Sequence, residues 1–120
     1  MSRTDLIENP EVEHSQYASD PEMRGIVSLF VEDLPKRAGN LRSALANGDR
    51  GRLRTLAHQL RGSAGGYGFP GIGNAAANVE ILILSGAADE RIENAVDRLA
   101  RRCLQAAAPD RSLSRLGSVD

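Results

Sequence analysis

A chain of 120 residues holds one hydrophobic core of modest size and not two. Hydrophobic residues make up 41% of it and aromatics only 3%, so the core must be aliphatic, which favours closely packed helices over a β-sandwich. The formal net charge of −1 gives no electrostatic footprint for nucleic acid, and no apolar run approaches the length of a membrane span.

Residues 1–19 are polar and show no sustained period. They are expected to form an N-terminal arm, extended or with one short helical turn, that touches the body through Val12 and Tyr17. Asp5, Glu8, Glu11 and Glu13 depart from the layout of a signal peptide, so the chain is expected in the cytoplasm. Asp20-Pro21-Glu22 predicts a helix start, with an acid at the N-cap and proline at the first helical position. Val27, Phe30, Leu34, Ala38, Leu41 and Leu45 follow at steps of three and four, giving one apolar face as far as Ala46, with a bend at Pro35. Asn47-Gly48-Asp49 should close this helix and cap a second one, from Arg50 to about Tyr67.

After a turn at Phe69-Pro70-Gly71, a third helix places Ile72, Ala75, Ala76, Val79, Leu82 and Ile83 on its inner side and ends at Ser85-Gly86. Tyr67 and Phe69 should wedge the second helix against the third. A fourth helix starts near Asp89, carries Ile92, Val96, Leu99 and Cys103, and should stop at Pro109. Cys103 lies on that apolar stripe as a small core residue, and as the single cysteine it excludes an intramolecular disulfide. The expected fold is all-α, an antiparallel up-down-up-down four-helix bundle over residues 20–108, followed by a flexible tail over 109–120.

The second helix carries the chemistry. Leu53, Leu56, Leu60, Ala64 and Tyr67 fall within an arc of about 80° on a helical projection, and His58 points almost opposite. Its neighbours at helical spacing are Gly51, Arg54, Thr55, Arg61, Gly62 and Gly65. The helix therefore presents an imidazole between two guanidiniums on ground cleared of side chains. Each interior glycine costs a helix about 1 kcal/mol relative to alanine, which makes Gly62 and Gly65 a poor choice for stability. They suit a face that a large partner must approach closely. Arg61 lies one turn after His58 and Arg54 one turn before it, so a guanidinium flanks the imidazole on either side. His14 has no comparable surroundings. With so few histidines and cysteines, and no glycine-rich phosphate loop after a strand, no metal or cofactor of the chain's own is expected.

The run His58, Arg61, Gly62, Gly65, Tyr67 and Gly68 resembles the core pattern of the histidine-containing phosphotransfer (HPt) family of two-component phosphorelays. The likeness continues through Asp20–Met23 and Leu29–Pro35 upstream, and through Gly68-Phe69-Pro70 and Ala75–Glu80 downstream, so that it spans roughly residues 12–108. Arg61 stands where lysine is the commoner family choice, and the resemblance implies that it neutralises phosphoryl oxygens, with Arg54 assisting or steering an acidic partner inward. The resemblance implies that His58 accepts a phosphoryl group from the phospho-aspartate of a receiver domain and passes it to another receiver, in an in-line displacement with charge spread over three equatorial oxygens. It implies response-regulator receivers and a hybrid histidine kinase as partners, with Mg²⁺ supplied by the receiver, and a monomeric carrier lacking its own ATP-binding kinase domain. Arg54, Thr55, Gly62 and Gly65 would form the docking ground. Two other readings remain: an adaptor of the same fold that docks on receivers without accepting phosphate, and a metal-binding bundle using His14 and His58. The second is disfavoured because His58 faces out and the helix stripes are expected to contain no acids.

Overall fold

The structure, a computed structural model, describes residues 12–109. Four helices dominate it: α1 (Arg24–Ala46), α2 (Arg50–Gly66), α3 (Pro70–Leu84) and α4 (Asp89–Gln105). Successive helices pack side by side and α1 returns against α4, which closes the bundle. Periodicity accounts for the core. Val27, Leu34 and Leu41 of α1, Leu53 and Leu60 of α2, Ile72 and Val79 of α3, and Val96 and Leu99 of α4 are all buried. Each such side chain contributes about 1.5–3 kcal/mol by leaving water. Buried alanines between them (Ala38, Ala57, Ala64, Ala76 and Ala100) let the helices approach closely. Asp49 caps α2 as expected, its Oδ1 accepting from the Arg52 N–H at 3.0 Å.

Three local expectations change. First, α1 begins at Arg24 and not at Asp20. Asp20 Oδ1 accepts from the Glu22 N–H at 2.9 Å and its carbonyl accepts from Met23 and Arg24, so residues 20–23 form a separate turn leading into the helix. Beyond it the helix runs unbroken across Pro35, which lies on the exposed side. Second, α4 ends at Gln105, four residues before Pro109, because the chain turns extended at Ala106 and pairs there as a strand. Third, the aromatic wedge ties the α2–α3 turn to α1. Tyr67 stacks on Phe30 with centroids 4.8 Å apart, and Phe69 tilts against the same ring at 5.8 Å.

Polar groups fasten the arm: Val12 stays 39% exposed, while Tyr17, 37% exposed, lays its ring against Gly68 as expected. A short strand β1 (Glu13–His14) pairs in parallel with β2 (Ala106–Ala107). The Glu13 carboxylate accepts from the N–H groups of Gly71 (2.6 Å) and Ile72 (2.9 Å), two of the first-turn donors that α3 cannot satisfy internally. Ser15 Oγ donates to the Tyr67 carbonyl at 2.6 Å, and the Gln16 N–H donates to the Gly68 carbonyl at 2.8 Å. Glycine is required at 68: φ is +86°, and a Cβ would lie 2.7 Å from Ser15 Oγ. The rest of the arm, residues 1–11, and the tail after 109 lie outside the described residues.

Glu13→Ala removes both caps from α3 and should lower stability by about 1–2 kcal/mol. The measurement is a urea midpoint that falls with unchanged slope. Cys103 is 2% exposed, and burial pushes its thiol up from 9.0 to about 12. Keeping that thiol neutral stabilises the fold fully below pH 9.0, and the contribution is lost as the pH rises toward about 12. Native protein at about pH 8.5 should accordingly resist iodoacetamide, while urea-unfolded protein should react readily.

Candidate functional site

Local sequence sets the rotation of α2. Leu53, Ala57, Leu60 and Ala64 face the core, and His58, about 100° from Ala57, emerges on the flank toward α3 with its side chain 60% exposed. Opposite it, Glu80 of α3 is only 7% exposed. Glu80 Oε2 lies 2.9 Å from His58 Nδ1. Against an ionised Glu80, which only accepts, Nδ1 is the donor, and a neutral ring so held keeps its lone pair on Nε2. Glu80 Oε1 lies 3.4 Å from Arg61 Nη1, within ion-pair range, yet it is buried and has no aligned hydrogen bond. One buried carboxylate thus braces both the imidazole and the guanidinium.

This corrects the expectation that the helix stripes hold no acids. Ala76, Val79, Glu80 and Ile83 form the edge of α3 that packs inward, and all four are buried or half-buried. The spacing of four from the buried Ala76 is the signal in the sequence that Glu80 lies on the inward edge. Arg61, one turn from His58, has its side chain 47% exposed and reaches back to Glu80.

The remaining residues fall as follows. Arg54 is exposed and forms no ion pair among the described residues. Thr55 is exposed, with its hydroxyl donating to the Gly51 carbonyl at 3.1 Å, so its hydrogen is committed to its own helix. Gly62 and Gly65 are exposed, and a Cβ at either would meet nothing within 4 Å. Internal packing therefore does not demand glycine there. Gly62→Ala should raise stability by up to about 1 kcal/mol, read from thermal or urea unfolding. Gly65→Gln should keep native helicity and weaken receiver binding; unfolding instead would assign the glycine to internal packing. His14 lies in β1 and is not brought to His58. Among the described residues no group of three or more His, Cys, Asp or Glu side chains is gathered to hold a metal ion, and no helix is long and apolar enough to cross a membrane.

A four-helix bundle that presents one braced histidine to solvent has the form of a phosphotransfer domain. A family model described as Hpt domain matches residues 25–109, and the chain belongs to that family. Membership carries a phosphotransfer role in two-component phosphorelays, with receiver domains and histidine kinases as the interacting classes. Hpt domains are carriers without kinase activity. No curated protein and no solved structure matches the chain.

Proposed function

We propose that this chain is a monomeric, cytoplasmic phosphorelay intermediary in which His58 takes a phosphoryl group from the phospho-aspartate of one receiver and delivers it to the aspartate of another. A hybrid histidine kinase would stand upstream and response regulators downstream. The observation that carries this reading is the 2.9 Å contact between His58 Nδ1 and Glu80 Oε2, because it leaves Nε2 as the nucleophile. In the transfer, the Nε2 lone pair forms a bond to phosphorus while the acyl-phosphate P–O bond breaks. The aspartate leaves as a carboxylate, and the ring becomes a phospho-imidazolium that keeps its proton on Nδ1. Glu80 faces that proton and stabilises the positive ring. The return step runs the same displacement in reverse.

Arg61 would turn from Glu80 to the equatorial oxygens as charge gathers there. Mg²⁺ would come with the receiver. Gly62 and Gly65 give the receiver's backbone close access, with Arg54 and Thr55 at the edge of the contact. The experiment is incubation with a receiver carrying labelled phosphate. Label that moves to this chain, is lost in acid and survives alkali supports the reading. A complex that forms with no label transferred would replace it with the docking-adaptor reading.

A further inference from the structure

On the flank of α3 away from His58, two shallow depressions of about 300 and 280 Å³ run together along the seam between α3 and α4, sharing Asn78 and Arg98. Asn78 is two residues from Glu80, about 200° around the helix, so this seam and the His58 face are separate surfaces. Arg91, Asn94, Arg98 and Arg102 stand at steps of three, four and four, which aligns them on one side of α4. Asn74 and Asn78, one turn apart, line the α3 side, and the floor between is Ala75, Leu82 and Ala95. No carboxylate lines either depression.

The charges of α4 are segregated. Asp97 pairs with Arg42 of α1 at 3.3 Å and with Arg101 at 3.1 Å, and Glu93 lines a different depression beside Leu45. Arg91 and Arg98 are exposed and form no ion pair with a described residue. A chain of net charge −1 thus leaves the Arg91 and Arg98 guanidiniums unpaired along this seam, while the Glu13 carboxylate, held by the N–H groups of Gly71 and Ile72, borders its Gly71 end beside Arg102.

We propose that the α3–α4 seam is a second docking surface, which binds an acidic peptide segment of a partner protein independently of His58. The guanidiniums complement carboxylates, preferably in bidentate pairs. Each asparagine amide offers one acceptor and two donors, which matches the C=O and N–H groups of a peptide backbone. The alanine floor lets that backbone lie close and gives small apolar side chains a dry contact. A phosphate polymer would use the arginines but would leave the amide acceptors unmatched, so a peptide is the better fit. Because the two surfaces lie on different flanks of α3, a partner held here leaves Nε2 of His58 accessible to a receiver.

The test is fluorescence polarisation of the full chain with a fluorescein-labelled peptide of repeated Glu-Leu-Glu-Ala, beside the same peptide with glutamine for glutamate. The acidic peptide should bind, the glutamine version should not, and affinity should fall as salt is raised. The double variant Arg91→Glu/Arg98→Glu should weaken binding about tenfold or more, while Arg52→Glu on α2 leaves it unchanged. Asn78→Asp alters the seam by one carboxylate at constant shape and should weaken binding as well, with circular dichroism confirming that each variant is folded. The proposal is overturned if the peptide does not bind, or if it binds the folded seam variants as tightly as the wild type. It is also overturned if a single-stranded oligonucleotide of equal charge binds more tightly, which would make the seam a general polyanion surface. Light scattering that shows a dimer broken by the seam variants would give the surface to a second copy of the chain instead.

Discussion

His58→Gln should abolish phosphoryl transfer from a labelled receiver, with no detectable label on the chain at any time point. Glutamine is similar in size and neutral, but its amide has no lone pair able to displace an acyl-phosphate. The fold should be unaffected, since the side chain at this position is 60% exposed and its lost partner, Glu80, still faces Arg61. His14→Gln in β1 should transfer at the wild-type rate. In the wild type the labelled bond is expected to be a phosphoramidate, lost in acid and kept in alkali. Label that persists in the His58→Gln variant, or that shows the opposite stability, would falsify the assignment.

Arg61→Ala should slow single-turnover transfer by about ten- to a hundredfold, the rate equivalent of losing one charge-assisted hydrogen bond worth roughly 1.5–3 kcal/mol. Receiver affinity should change by less, because the guanidinium meets its strongest charge in the transition state. Arg61→Lys should retain most of the rate. Glu80→Ala should fall in the same range for a different reason: without the carboxylate, the hydrogen of the neutral ring is free to move to Nε2, and the positive phospho-imidazolium loses its counter-charge. Glu80→Gln keeps a carbonyl acceptor for Nδ1–H and should sit between wild type and alanine. Since Glu80 holds both His58 and Arg61, the double variant Arg61→Ala/Glu80→Ala should be slowed by less than the product of the single effects. A wild-type rate in Arg61→Ala, or a defect that is wholly lost affinity, would make Arg61 a docking charge. Full additivity in the double variant would mean that the two residues act apart.

The sequence by itself carried the four helices, the capping of α2 by Asp49, the aliphatic core and the exposure of His58. All of these follow from the 3.6-residue period and from contacts within a turn or two of chain. Helix ends were less legible where a distant segment intervened. Pro109 looked like the stop for α4, yet β1 draws the chain out at Ala106. Asp20 looked like a cap, yet its side chain and carbonyl close a turn of their own.

Only the tertiary structure decided which side chains meet across helices. Glu80 reaches His58 over 22 residues of chain, and Glu13 reaches Gly71 over 58. Periodicity states which face of a helix is apolar, but it leaves open the register and rotation of one helix against the next. A carboxylate at the edge of an apolar stripe therefore looks the same in sequence whether it meets solvent or a histidine. Packing of α2 on α3 fixes that register, and with it which nitrogen of His58 faces Glu80.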